Sequence, residues 1–587
     1  MTMLPYMTDN MALKGKSTDV FKGINTSAKA KDGELTRSDN MSARNYPALS
    51  VRKGRTKVCD AEGKINGMGV YNKLFYTCSG GDGDCTLHYG DKAVSLGNKF
   101  SADTERFFGA ISDSILIMPD KKLYKPSDNT VEELVNSQSL TTDKEFERAK
   151  LEIGIAADEP VYYLGKLYGD RIVSESVSNG RYTSYHISLK DLSAEDIVHI
   201  SMNIHVADIV RDEHYQRYVN AMKEGFFVKI SDVVTVNHEI LNGGIISSIV
   251  GLRFAPGTMD TGGYSEVAIT GMEISKRIPD LTHMCTHSNR VWATEGNSIR
   301  SSALGKPWVW DDYSADTYGT LPSSCYSVEV DSGGEFTAIC SFNGSVLAFK
   351  QNCIHKLYGT QPENYTLYTQ SCTGVEPGGG KSLAVINGVL YYKGCDGFYA
   401  YSGGVPECIS RNITPEGKAV CSGTDGTNYY TIMSGRKGTY LLVYYPDKGI
   451  WHRESVEGAY YIAGHMPDLY CAVDKSIVNL CSDSSKEAFD WSFELIFDED
   501  TYRYKQYARI LVKYRLAGDG YFTVTAEYDD NRHLSHISGN YNSTPKGYST
   551  AQLPSVRCRE LRLVFRGRGE FELLDITREY RLLSDEK

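Results

Sequence analysis

Short apolar runs set between polar turns fill the middle of this chain, and one phrase recurs. Its clearest copy is Ile386-Asn387-Gly388-Val389-Leu390-Tyr391-Tyr392-Lys393, then the turn Gly394-Cys395-Asp396-Gly397 and the return Phe398-Tyr399-Ala400-Tyr401. Phe342-Asn343-Gly344-Ser345-Val346-Leu347-Ala348-Phe349 with Cys353-Ile354-His355-Lys356-Leu357-Tyr358 repeats it upstream. Ser288-Asn289-Arg290-Val291-Trp292-Ala293 with Ile299-Arg300-Ser301-Ser302 does so before that. A strand pair of this size cannot bury its apolar face alone, so the copies must stack on one another. A spacing of about 45 to 55 residues suits one four-stranded blade, and the pattern predicts a β-propeller of roughly six to eight blades in an all-β dominated chain.

The pattern divides the chain. Residues 1–57 have little apolar periodicity and read as an N-terminal arm or strap, since such a segment cannot build its own core. Residues 58–126 hold the first propeller strands, with Val70 to Cys78 followed by Thr86 to Tyr89, and Ser114 to Met118 by Lys122 to Lys125. Residues 127–280 break the rhythm and read as an inserted mixed α/β domain. Helices are expected at 145–151 and at 194–223, where Ile197, Ile200, Ile204, Ile209, Tyr215 and Val219 fall at roughly helical intervals. A small β-barrel is expected from Phe226–Ile230, Val233–Val236, Ile245–Val250 and Val267–Ile269. Residues 281–489 resume the propeller. From 490 to 587 the strands lengthen and alternate, as in Tyr507–Arg515, Tyr521–Tyr528 and Glu560–Phe565, which predicts a C-terminal β-sandwich.

Composition narrows the class. The net charge is −11, which argues against a chain that grips nucleic acid over its whole surface, though not against a lumen through which DNA passes unheld. The 14 cysteines are scattered and form no CxxC pair, so they read as reduced thiols in strand cores. No apolar run is long enough to span a membrane, and the first residues lack the apolar stretch of a secretion signal. Assembly in a cytoplasm is the expectation.

The opening carries Phe21-Lys22-Gly23-Ile24-Asn25-Thr26-Ser27, Asp32-Gly33-Glu34, Asp39-Asn40-Met41 and Tyr46-Pro47-Ala48-Leu49-Ser50-Val51-Arg52-Lys53-Gly54-Arg55. Further on come Asn289-Arg290-Val291-Trp292, Ile299 to Pro307, and Arg557-Cys558-Arg559 with Gly567-Arg568-Gly569. These resemble phage and prophage virion proteins, and the general organisation is similar to the propeller tail hub, stopper and nozzle proteins of short-tailed phages. The resemblance implies a non-enzymatic structural protein of a bacteriophage tail or head-to-tail connector. It implies self-association into a ring such as a hexamer around the DNA exit path, contact with portal, adaptor and other tail proteins, no cofactor and no membrane insertion. The location implied is the virion tail, assembled in the bacterial host cytoplasm. Within the opening, Asn25, Asn40, Tyr46, Pro47, Arg52 and Arg55 are the candidate subunit-contact residues: arginine pairs with acidic partners and proline fixes a local turn. Packing on the chain's own propeller is the other reading of this segment.

The alternative is a receptor-binding or glycan-degrading propeller at a tail tip. Ser422-Gly423-Thr424-Asp425-Gly426-Thr427 approaches a sialidase turn box with the wrong spacing. Asp82-Gly83-Asp84 has too few oxygen donors nearby for a calcium loop and reads as a hairpin turn. Gly378-Gly379-Gly380-Lys381-Ser382 lacks the first glycine of a phosphate-binding loop and precedes a strand rather than a helix. His533 and His536 read as solvated in a polar loop. Trp292, Trp308, Trp310 and Trp451 read as blade packing, with Trp308 and Trp310 the first place to look for an exposed binding pair.

Overall fold

The recurring Asn-Gly pairs make hairpins for a local reason. Asn343 and Asn387 sit at φ 43° and 49°, followed by Gly344 and Gly388 at 73° and 77°. Two successive left-handed residues are what a tight hairpin turn needs, and Asn followed by Gly tolerates them best. The turns bring Phe342 opposite Ser345 and Ile386 opposite Val389.

The computed structural model describes residues 12–140 and 278–583 with short interruptions. Between 141 and 277 it describes only the strand segments 149–152, 162–168, 171–173, 186–188, 197–207, 233–239, 250–252 and 264–276. Outside that stretch, the described residues form seven four-stranded antiparallel sheets. Blade 1 runs from Ile65 to Gly97 and blade 2 from Phe107 to Glu133. Blade 3 runs from His283 to Glu329, blade 4 from Phe336 to Ser371, and blade 5 from Ala384 to Cys408. Blade 6 runs from Lys418 to Ser455, and blade 7 holds the strands from Ala459 to Ser482. The fourth strand of blade 7 is Gly54–Asp60, from the other end of the chain, with Asp60 opposite Ser476 and Cys59 opposite Ile477.

Each blade meets the next through its own apolar cluster. In blade 4, Leu347 and Phe349 pack with Leu390 and Tyr392 of blade 5, whereas Val346 and Ala348 pack with Trp292 and Ile299 of blade 3. Successive side chains of a strand point to opposite faces, so a strand between two neighbours is buried throughout, and Ser345–Lys350 is. The series closes where Ile65, Tyr76 and Cys78 of blade 1 share a cluster with Leu469, Cys471 and Ile477 of blade 7. The fold is a β-propeller.

The last part of the chain is two sheets over one core. One is ordered Met41–Ser42, Leu49–Val51, Phe571–Leu582, Lys505–Leu516, Gly547–Gln552; the other Leu35–Asp39, Asp490–Phe497, Leu561–Arg568, Tyr521–Tyr528, Asn531–Asn540. Ile510, Val512 and Ile576 of the first face Phe493, Val524 and Phe565 of the second. The opening segment is therefore not a separate arm. Its residues 14–18, 35–39, 41–42 and 49–51 are strands of this unit, and 54–60 closes the propeller.

Three further expectations change. Residues 197–207 are a strand, pairing with Val233–Glu239 and Tyr264–Lys276, and Ala149–Glu152 is a strand rather than part of a helix. In Ile197–Ala207 the apolar Val198, Ile200, Met202, Ile204 and Val206 alternate with polar residues, a period of two in which the helical intervals are incidental. The rest of the two expected helices, and Phe226–Ile230 and 245–249 of the expected barrel, lie outside the described residues. His533 and His536 are in the strand Asn531–Asn540, not in a loop.

Candidate functional site: the clamp and the propeller axis

The strap runs against the outer strand of blade 6 at close range. Ile24 N donates to Trp451 O at 2.9 Å and Asn40 N to Arg453 O at 2.9 Å. Gly23 has φ +77°, and a Cβ there would lie 2.3 Å from Ile450 Cγ2 and 2.7 Å from Trp451 O, so no other residue fits.

Asn40 is the centre of the clamp. It is buried at φ 61°. Its Nδ2 donates to Ser455 Oγ and to Asp490 O, both at 2.8 Å. Its Oδ1 accepts from Ser455 N at 3.0 Å and from Arg52 Nε at 3.2 Å. One side chain thus joins the strap, blade 6 and the first strand of the C-terminal unit. Arg52, buried, forks onto Glu487 at 3.2 and 3.3 Å and lies 3.7 Å from the Phe489 ring centroid. Arg55 donates to Ser455 O at 2.7 Å and to Glu454 Oε2 at 2.9 Å. Burial pushes the Glu487 carboxyl up, but the bonds from Arg52 and the Arg55 N–H outweigh it and hold the group below its ordinary value. Asn25 is also buried, its Nδ2 on Glu34 Oε2 at 2.7 Å. Of the six candidate contact residues, these four are committed to bonds within the chain, and Tyr46 and Pro47 are exposed.

Sequence reasoning passed over Arg578, which does the same work at the other end of the strap. It is fully buried, with Nε on Glu499 Oε1 at 2.8 Å, Nη1 on Thr18 Oγ1 at 2.7 Å and Nη2 on Asp32 Oδ2 at 3.2 Å. Burial raises Asp32, and its bond from Thr18 and the charge of Arg578 reverse the shift and leave the carboxyl below its ordinary value. An arginine interrupting the apolar alternation of Phe571–Leu582 was the available signal.

The first strands of blades 1, 2, 6 and 7 border a cavity on the propeller axis. About 280 Å³ of space is lined by Met68, Tyr71, Phe107, Phe108, Lys381 and Tyr461. Lys381 comes from the Gly-Gly-Gly-Lys-Ser stretch, which forms a single 3₁₀ turn before blade 5, not a phosphate cradle ahead of a helix. Its ammonium pairs with Glu105 and lies 4.7 Å from the Tyr461 ring centroid, and Tyr461 Oη donates to Glu105 Oε1 at 2.7 Å. Burial pulls Lys381 below its ordinary value. This ion pair ties the turn ahead of blade 5 to the segment ahead of blade 2, and Lys381 lines the cavity.

The remaining candidates are structural. Asp425 accepts from the N–H groups of Thr427 and Asn428 at 2.9 and 2.7 Å and from Tyr430 Oη at 2.9 Å, so the near-box is a self-satisfied turn. Trp310 is buried with Nε1 on Pro307 O at 2.9 Å, and Trp308 is half-buried beside it, so they form no exposed pair. Trp292 and Trp451 are buried between blades. Asp82 and Gly83 lie outside the described residues. All 14 cysteines are unpaired. Among the described residues, no group of three or more His, Cys, Asp or Glu could hold a metal ion, and no helix is long and apolar enough to cross a membrane.

No family model and no curated protein matches the chain. Similar solved structures include the N-terminal domain of Nup159, at 9% identity over 50% of this chain and 89% of that one, with a TM-score of 0.22. The extracellular domain of the putative one component system BT4673 from B. thetaiotaomicron covers 93% and 99% at 9% identity and a TM-score of 0.23. The exo-beta-1,3-galactanase of Phanerochaete chrysosporium covers 49% and 94% at 8% identity and 0.18. The propeller assignment rests on the closed series of sheets rather than on these likenesses.

Proposed function

We propose that this chain is a structural virion protein of a bacteriophage tail or head-to-tail connector, working by shape as one copy in a ring around the DNA path. The observation that carries the proposal is the use made of the opening segment. The residues on which the resemblance rests, Gly23, Asn40, Arg52 and Arg55 among them, tie the propeller to the two-sheet unit and perform no chemistry. A clamp of this kind gives a rigid body, which is what a ring component that transmits load requires. In this reading the DNA path is the space that the ring of copies encloses. An acidic chain of net charge −11 lining such a path would let DNA slide without being held. Portal, adaptor and tail proteins would be the neighbours, with Tyr46 and Pro47 among the exposed strap residues that could meet them.

The test is to image virions by electron microscopy with an antibody raised against the purified chain. Label confined to the tail axis or the head-to-tail junction supports the proposal. Virions without label, or a chain that binds surface glycans and sits at fibre tips, would reject it.

A further inference from the structure

The loop before Lys505–Leu516 exposes Tyr502 to 95%, more than any other large apolar side chain among the described residues. A fully exposed aromatic ring loses the hydrophobic gain that a covering surface would return. Beside it, the Tyr504 ring carries two guanidinium groups, Arg557 at 4.0 Å and Arg559 at 4.9 Å from its centroid. A guanidinium stacked by its face keeps its plane fixed, which suits bidentate binding of a carboxylate.

The cluster is built rather than incidental. Arg557–Cys558 pairs with the start of Lys505–Leu516. Lys505 is buried, and its ammonium donates to Thr501 O at 2.7 Å and to Arg559 O at 2.6 Å, so one side chain holds both loops. The Asp529 carboxylate accepts from the N–H groups of Arg559 at 2.8 Å and Glu560 at 2.9 Å. Tyr and Arg ordered before a partner arrives are the residue types and the state in which interface hot spots are found.

The chain itself offers a complement. Glu335 lines a cleft of about 750 Å³ beside blade 4, and Glu329 and Asp331 are exposed in the segment that leads into it. They make no ion pair with any described residue. The cleft is lined by Gly333, Gly334, Gln351 and Asn352, with open space above both glycines, and it admits a tyrosine side chain. Knob and cleft are different surfaces of one chain, so a contact between them is head-to-tail and builds rings when the rotation closes.

We propose that Tyr502, Arg557 and Arg559 of one copy dock on the rim formed by Glu329, Asp331 and Glu335 of the next, and that this is the contact that closes the ring. The inference rests on the ring reading above and names its surfaces.

The test is light scattering on the full chain at low and high salt. The wild type is expected to associate at low salt and dissociate as salt rises. Arg557→Glu with Arg559→Glu, or Tyr502→Ala, should weaken association at least roughly thirtyfold, the loss of one hot spot. One chain carrying both Arg557→Glu with Arg559→Glu and Glu329→Lys with Glu335→Lys should regain it. A wild type that stays monomeric, knob variants that associate normally, or no recovery in the combined chain would each overturn the inference. So would knob variants that lose only retention on duplex DNA, which would make the cluster a phosphate-binding surface. Antibody labelling of virions reads the tail location separately, so either proposal can fail alone.

Discussion

Asn40→Ala tests whether the clamp holds the two units together. The substitution removes the acceptor of Ser455 N and the donor to Asp490 O, two part-buried bonds made by the buried Asn40 side chain. An orphaned buried backbone group costs about 1–3 kcal/mol. Alanine at φ 61° adds roughly 1 kcal/mol of left-handed strain that asparagine largely escapes. The total is about 2–4 kcal/mol, a large fraction of an ordinary domain's stability of about 5–15 kcal/mol. Because the lost bonds join the strap, blade 6 and the C-terminal unit, the cost falls on the coupling between units rather than on either core. Denaturant unfolding followed by tryptophan fluorescence, with Trp451 in the propeller and Trp491 in the two-sheet unit, is expected to change from one transition to two. Asn40→Gly separates the terms: it loses the same bonds without the strain and should recover roughly 1 kcal/mol relative to alanine. If Asn40→Ala unfolds in one transition at the wild-type midpoint, the clamp contributes nothing and the reasoning is wrong.

Acid should loosen the same clamp. Glu487 and Asp32 have folded values below their unfolded ones, so their contribution is complete above the unfolded carboxylate range near pH 4 and is lost as pH falls from there through the folded values. Glu487→Gln should flatten the stability profile between about pH 5 and 3, and an unchanged slope would exclude this carboxylate as a source. Removing residues 1–60 takes away the fourth strand of blade 7, so the amides of Ser476–Ser482 should lose protection in hydrogen exchange while those of blade 4 keep theirs. Equal protection in the truncated chain would mean that this strand does not close the ring. Trp451→Ala removes the ring that packs on Phe398 and Tyr444 at 4.9 and 4.7 Å and should cost about 3–5 kcal/mol, measured by thermal unfolding; a loss under about 1 kcal/mol would show that the site collapses.

The amino-acid sequence by itself determined whatever is settled within a few residues. Asn343-Gly344 and Asn387-Gly388 specify hairpins because their backbone angles are available to few other pairs, and the apolar runs beside them specify strands too short to stand alone. That was enough for a propeller and for the alternating strands near the C-terminus. It also singled out Asn40, Arg52 and Arg55 as candidate subunit contacts. It could not say what they bind, since Arg52 meets Glu487 from 435 positions away and Asn40 meets Asp490 from 450. The strand Gly54–Asp60 looks like the end of an arm because its order comes from the edge of Ser476–Ser482, at the far end of the ring. The segment 197–207 read as a helix because intervals of three and four also occur by chance within an alternating strand, and only pairing on both edges decides between the two. The Lys381–Glu105 ion pair has no local signature, since the two residues meet only when the blades close. Turn chemistry and periodicity are local energies and are written in neighbouring residues; ring closure, the clamp and the Lys381–Glu105 ion pair depend on which distant surfaces come together, and the tertiary structure alone decides that.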